Sequence, residues 1–322
     1  MKSIRCLLCS LLALCVAVVA QAQVRDVSIE CEWGKLSATL AQPDEGSDTA
    51  IVIVAGSGPT DRYGNSAGMT TYSYKMLSDA LVGKGFAVLS YDKRGVALSP
   101  IAAEDVPSLV LDDYVADAER CVEFLRCEGY RRIVMAGHSE GGTIALAVAA
   151  EQRVMLDGVV LLCAPGYTMD TILVRQLSAQ LIPQYMGLMV KAEKIIRTLK
   201  AGEMIAEEDI PAELMSLFHP VVQPFVINSM SYDPQQLISR CTLPVVVISG
   251  GRDIQVTVDN GRALCGAQPA ASHVVFEDMT HVLKSSATSD RVEQIMSIYT
   301  NGNLPLTEGL VDAIAEFINN KI

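Results

Sequence analysis

Positive charge is the first scarcity: 25 Lys and Arg face 37 Asp and Glu, a formal net charge of −12 over 322 residues. A surface built to neutralise phosphates is missing, which excludes nucleic acid as a partner. Charge of either sign is sparse, at 19% of residues against 50% hydrophobic. That balance, with ten Tyr and six Phe to fill an interior, buries enough surface to offset chain entropy and excludes a disordered chain. There is no low-complexity tract and no internal repeat, which removes solenoids and fibrous arrays. No grouping of His, Cys and Asp has metal-ligand spacing, so no metal is called for. What remains is one large globular domain carrying an insertion, with a core that needs no disulfide scaffold.

Lys2 and Arg5 precede an apolar run over residues 6–20, and Ala20-Gln21-Ala22 supplies small residues at the two positions a signal peptidase reads. The expectation is an export signal over 1–22, a mature chain from Gln23 and an extracytoplasmic address, periplasmic or secreted. The run is shorter than the roughly 20 residues that span a bilayer, so no stable membrane insertion is expected after cleavage. Retention as an anchor is the alternative; a lipoprotein reading through Cys15 meets bulky Leu14 where a small residue is needed. Cys6, Cys9 and Cys15 leave with the segment. Cys31, Cys121, Cys127, Cys163, Cys241 and Cys265 remain, at no framework spacing. Cys121 and Cys127 are separated by about 9 Å of helical rise, beyond disulfide reach, and the set reads as small buried apolar side chains.

Residues 27–33 and 35–41 are β-rich stretches broken at Gly34 and read as a hairpin. Short β-branched or apolar runs follow at 50–55, 86–91, 133–136, 158–163, 244–249 and 272–276. Helix-period stretches at 71–83, 109–128, 142–151 and 256–266 lie between them. Continuous apolar strands alternating with amphipathic helices specify an α/β fold, a mostly parallel central sheet with helices on both faces. The alternation breaks at 167–240, where helical segments at 171–181, 189–200 and 211–217 are punctuated by five prolines. This is a helical insertion over the sheet, dividing the core into 23–166 and 241–322. It holds six of the thirteen methionines, which suit either a conformable apolar surface or gap-filling in a small core.

Gly137-His138-Ser139-Glu140-Gly141 fits G-x-S-x-G, a pattern that is weak alone and strong between an apolar strand and a small-residue helix. In that setting the chain turns sharply and the Ser139 hydroxyl projects above the sheet edge. A serine hydroxyl needs a base to become a nucleophile, and the base needs an orienting carboxylate. Of four histidines, His138 lies within the turn, its side chain directed away from the serine; His273 is inside a strand and His219 beside Pro220. His281, in the loop after the last strand, is left as the base. Asp253 ends the strand before it, at the carboxyl edge where sheet ligands gather; Asp259 and Asp278 compete. The oxyanion donors are assigned to the N–H of Glu140 and of Ser57, with Gly58 as second choice in the loop Gly56-Ser57-Gly58-Pro59. That loop is no phosphate cradle, since no G-K-[ST] follows and Pro59 has no N–H to give.

The segments at 56–65, Tyr91-Asp92-Lys93-Arg94-Gly95, Gly137 to Gly142, Gly250-Gly251-Arg252-Asp253 and Thr280-His281-Val282-Leu283-Lys284 together resemble the α/β-hydrolase superfamily. They are most similar to its bacterial serine aminopeptidase-like and cinnamoyl-esterase-like branch. The resemblance implies Ser139 as nucleophile, His281 as base, Asp253 as orienter, Ser57 and Glu140 as oxyanion donors, and the insertion as a lid. Two departures stand out. Ala55 occupies a position where the family often has His, so a side-chain brace on the oxyanion loop is expected to be missing. Val96-Ala97-Leu98-Ser99 replaces the usual small residues after Arg94-Gly95. Asp61, Arg62, Asp92 and Arg94 are expected to pair with one another and hold loops, with substrate contact as the alternative.

The expected activity is hydrolysis of small or medium carboxylic esters through an acyl-enzyme, with a small-molecule ester as partner and no cofactor. The alternatives are a serine aminopeptidase or amidase, which must seat an ammonium with acids such as Glu193, Glu203, Glu207, Glu208 or Asp209; a thioesterase; and a non-catalytic binding protein.

Overall fold

The computed structural model describes residues 22–180 and 186–322. The expected export signal, apart from Ala22, lies outside the described residues, as does Leu181 at the end of the first expected insertion helix. Among the described residues no helix is long and apolar enough to cross a membrane.

Eight strands form one sheet: β1 (Ala22–Cys31), β2 (Gly34–Pro43), β3 (Thr49–Val54), β6 (Ala87–Tyr91), β7 (Arg132–His138), β8 (Gly158–Leu162), β9 (Val245–Gly250) and β10 (Ser272–Phe276). A separate two-stranded ribbon, β4 (Asn65–Ser66) with β5 (Met69–Thr70), was not expected. The spatial order is β1-β2-β6-β3-β7-β8-β9-β10, with β2 antiparallel to both neighbours and the strands from β6 to β10 parallel. Every residue of β3, β6, β8 and β9 is buried. Side-chain alternation then splits each strand between two cores. Val52, Met135, Leu161 and Val247 face one side, and Ile51, Val134, Val160 and Val246 the other.

The first face is covered by α2 (Leu111–Cys127), α3 (Glu140–Glu151), α8 (Pro234–Arg240) and α9 (Val258–Ala267), the second by α1 (Ser73–Gly83) and α11 (Leu310–Lys321). β3 lies between β6 and β7: the crossover through α1 carries the chain from β3 out to β6, and the one through α2 carries it back past β3 to β7. Such a reversal opens a crevice at the carboxyl ends of the strands.

Between β8 and β9 lie α4 (Met169–Gln180), α5 (Met186–Lys200), α6 (Met215–Phe218), α7 (Gln223–Ser229) and α8. The insertion has its own cluster, including Leu177, Ile195, Leu199, Leu214 and Phe218. α8 is different: its Leu237 and Ile238 sit in the main core. Met189 and Met230 belong to the insertion's cluster, Met204 is exposed, and Met169 faces the crevice. Gap-filling therefore accounts for more of these methionines than an open apolar surface does. After β10 the short α10 (Arg291–Ser297) precedes α11. The cysteines at 31, 121, 127, 163, 241 and 265 are free thiols, and only Cys127 is exposed.

Candidate active site

β7 runs into α3 with a single residue between them, Ser139, at φ 52° and ψ −125°. An L-residue is strained there, and the bend persists because Gly137, Gly141 and Gly142 let the backbone pack closely on either side of it. A Cβ on Gly137 would lie 2.1 Å from the Gly141 carbonyl oxygen, and one on Gly141 would lie 2.2 Å from that of Val54. The start of α3 thus packs backbone against backbone on β7 and β3.

His281 follows β10 and Asp253 follows β9, as expected. His281 Nδ1 stands 2.8 Å from Asp253 Oδ2. The other carboxylate oxygen accepts the N–H groups of Gln255 at 2.7 Å and Val256 at 2.8 Å. Both side chains are buried. With Nδ1–H donated to the carboxylate, Nε2 is left as the proton acceptor of the ring. His281 and Ser139 line one cavity of about 500 Å³. The competing acids are elsewhere: Asp259 takes Arg175 at 2.9 Å and the Thr257 hydroxyl, and Asp278 is exposed.

Glu140 is the first residue of α3, so its N–H has no partner within the helix. Ser57 lies across from it in the loop after β3, and its hydroxyl donates to Glu140 Oε2 at 3.0 Å. Ser57, Gly58 and Glu140 all border the cavity. The brace expected to be missing beside Ala55 is supplied from elsewhere. The Gly56 N–H donates to the Tyr74 hydroxyl oxygen at 3.2 Å, and Lys93 Nζ donates to the Gly56 carbonyl at 2.5 Å.

His138 has a larger part than its sequence position suggests. Its Nε2 is 2.7 Å from the His281 carbonyl oxygen and its Nδ1 is 2.7 Å from the Tyr74 hydroxyl. A carbonyl only accepts, so Nε2 carries the proton and Tyr74 donates to Nδ1. One chain of bonds thereby joins the oxyanion loop to the backbone of the candidate base. Burial, then the neighbouring His281 ring, pushes His138 down to about 3 from an ordinary 6.5, so it stays neutral at working pH. The unfolded chain takes this proton near 6.5 and the folded one only near 3. This contribution to stability is complete above 6.5 and is lost as pH falls toward 3. Melting curves from pH 7 to 4 are expected to show a smaller drop in Tm for His138→Asn than for the wild type; equal drops would refute the assignment.

Of the four loop charges expected to pair with one another, Arg62 and Asp92 do so, while Arg94 and Asp61 hold loops through other partners. Arg62 Nη2 is 2.7 Å from Asp92 Oδ2, with both side chains buried. Arg94 holds Asp113 at 2.9 Å and Asp117 at 2.7 Å and lies over the Trp33 ring. Asp61 accepts the N–H groups of Tyr63 and Asn65. None of Asp61, Arg62, Asp92 and Arg94 borders the cavity. His273 bonds the Ser249 hydroxyl at 3.0 Å, and the half-exposed His219 accepts the Val221 N–H.

The family model described as serine aminopeptidase, S33, matches residues 66–284, more than half of the chain and inclusive of Ser139, Asp253 and His281. The chain belongs to the serine aminopeptidase S33 family. It is 26% identical over 266 residues to esterase EstD of Thermotoga maritima, across 81% of this chain and 60% of that protein. It therefore spans about three fifths of the length of this curated relative. Among solved structures, Est1E of Butyrivibrio proteoclasticus with ferulic acid bound superposes with a TM-score of 0.61 at 19% identity, covering 92% of this chain and 98% of that one. Proline iminopeptidase of Mycobacterium smegmatis gives 0.60 at 14% identity, over the same shares. These likenesses establish the α/β-hydrolase fold.

Proposed function

We propose that this family member is an exported carboxylic-ester hydrolase working through an acyl-enzyme. The observation that carries the reading is the buried Asp253–His281 pair, at 2.8 Å, opening on the same cavity as the strained Ser139 turn. In this mechanism His281 Nε2 takes the Ser139 proton as the hydroxyl oxygen attacks the ester carbonyl. Asp253 holds the ring in the required tautomer and stabilises the imidazolium. The carbonyl oxygen becomes an oxyanion facing the N–H groups of Ser57 and Glu140, each such donor being worth about 10²–10³ in rate. The imidazolium returns its proton to the leaving alkoxide. Water, activated by the same base, then releases the acid and frees Ser139.

The insertion supports a role as lid, since Ile172, Leu173, Leu217, Val222, Phe225 and Val226 contribute an apolar wall to the cavity. That wall suits an uncharged acyl or aryl group. The aminopeptidase alternative needs an acid to seat a substrate ammonium, and Glu193, Glu203, Glu207, Glu208 and Asp209 all lie off the cavity wall. Among the described residues the only acid there is Glu140, already engaged by Ser57. Ester hydrolysis is accordingly favoured over amide hydrolysis at a charged amino terminus. The mature protein is expected to turn over p-nitrophenyl esters from acetate to octanoate and to leave aminoacyl-naphthylamides intact. No turnover of any ester in the series would sink the proposal. Export is tested separately, by the amino-terminal sequence of protein recovered from outside the cytoplasm.

A further inference from the structure

Resting on this reading of the site, one buried cation has no part in the mechanism so far. Lys93 follows β6 with its side chain 2% exposed, and Nζ donates to the Gly56 carbonyl. It lies 3.6 Å from Glu140 Oε1, too far for a hydrogen bond, and that oxygen has no hydrogen-bond partner. The second carboxylate oxygen of Glu140 holds the Ser57 hydroxyl. The carboxylate that ties the two oxyanion-donor residues together is therefore a buried anion beside the place where negative charge develops.

Such a carboxylate works against the reaction. In a site poor in water a like charge a few ångströms from a growing oxyanion slows its formation on the order of 10- to 100-fold. Among the described residues the cation that faces Glu140 is Lys93, locked by the Gly56 carbonyl and packed over the Tyr114 ring at 5.0 Å from its centroid. Arg62 and Arg94 are committed to Asp92, Asp113 and Asp117. We propose that Lys93 is a positioning and charge-compensating residue for the oxyanion site: it neutralises Glu140, so that this carboxylate can bridge Ser57 to the nucleophile turn without repelling the tetrahedral intermediate. Burial lowers the basicity of Lys93, and the Glu140 carboxylate opposes that shift.

The proposal predicts a particular pattern of loss and rescue. Lys93→Met keeps the stem and removes the charge, and should lower kcat for p-nitrophenyl butyrate about 10- to 100-fold with KM within about threefold. The double variant Lys93→Met with Glu140→Gln removes the unpaired anion and should recover at least half of that loss on a logarithmic scale. A structural role for the Gly56 contact alone predicts no rescue, because that contact is absent from both variants. The rate of labelling by a fluorophosphonate gives the same comparison without an ester, since its phosphoryl oxygen occupies the oxyanion site. Melting curves identify a variant that fails to fold; there Lys93→Gln, alone and combined with Glu140→Gln, supplies the comparison. Native-like rates in Lys93→Met, or a double variant no faster than the single one, overturn the proposal. Wild-type protein that resists the probe overturns the serine-hydrolase reading and this inference with it.

Discussion

Replacing His281 by Ala is expected to lower kcat on the preferred ester by about 10⁴- to 10⁶-fold, and Ser139→Ala by a similar factor. Neither loss should come from unfolding. In His281→Ala Asp253 Oδ1 keeps the N–H groups of Gln255 and Val256, which hold the carboxylate in place, while Oδ2 loses the imidazole and is left to water entering the vacated space. The residue 281 carbonyl also still receives the His138 ring, because that bond involves backbone. Ser139→Ala removes one hydroxyl from a turn whose geometry is set by Gly137 and Gly141. The double variant should be hardly slower than either single one, since nucleophile and base act as a unit and what remains comes from the donors and binding. Steady-state rates, with fluorophosphonate labelling to count active sites, decide the matter. A single variant within tenfold of the wild type would remove that residue from its role.

The parts of this molecule that were legible in the sequence are those whose signal is local. Strands such as β3, β8 and β9 read clearly because burial on both faces demands continuous apolar residues. The Ser139 turn read clearly because close backbone packing leaves room only for glycine at 137 and 141. Asp253 and His281 could be named because each falls at the carboxyl end of a recognisable strand. Helix α3 was expected to begin at Gly142 and begins at Glu140, the difference being the turn itself. Prolines in the insertion misled in a specific way. Pro224 and Pro234 looked like breaks, yet each sits in the first turn of its helix, α7 and α8, where its missing N–H costs nothing.

What could not be read is the network behind the site. Tyr74 and His138 are 64 positions apart, and His138 and His281 are 143 apart. No period or motif encodes such contacts; they exist only once the sheet has ordered its strands. A weaker signal was nonetheless present. His138 and Lys93 are polar residues at or just past the ends of apolar strands, and a buried polar group requires a partner. Within Tyr91-Asp92-Lys93-Arg94-Gly95 nothing local singles out Lys93, because its two neighbours are charged as well. Its bond to the Gly56 carbonyl distinguishes it from Asp92 and Arg94, which are engaged by other charged side chains.

Gly137→Ala should produce a large loss of stability for a single added methyl group, and with it the loss of activity. The added Cβ would meet the Gly141 carbonyl oxygen at 2.1 Å, so the two segments must separate by more than about 1 Å to reach ordinary contact. Neither is free to move. β7 is bonded to β3 on one side and β8 on the other, and α3 is buried from Glu140 to Ala149. The strain is expected to cost about 3–5 kcal/mol, lowering Tm by roughly 5–8 °C for a domain of this size. A shift of that length at the nucleophile also costs about 10²-fold in rate before any unfolding. Gly266→Ala is the matched control: it is exposed in α9, nothing lies within 4 Å of the added Cβ, and a slight gain in Tm is expected there. If Gly137→Ala melts and turns over as the wild type does, backbone contact between β7 and α3 is not what holds Ser139 in its strained conformation.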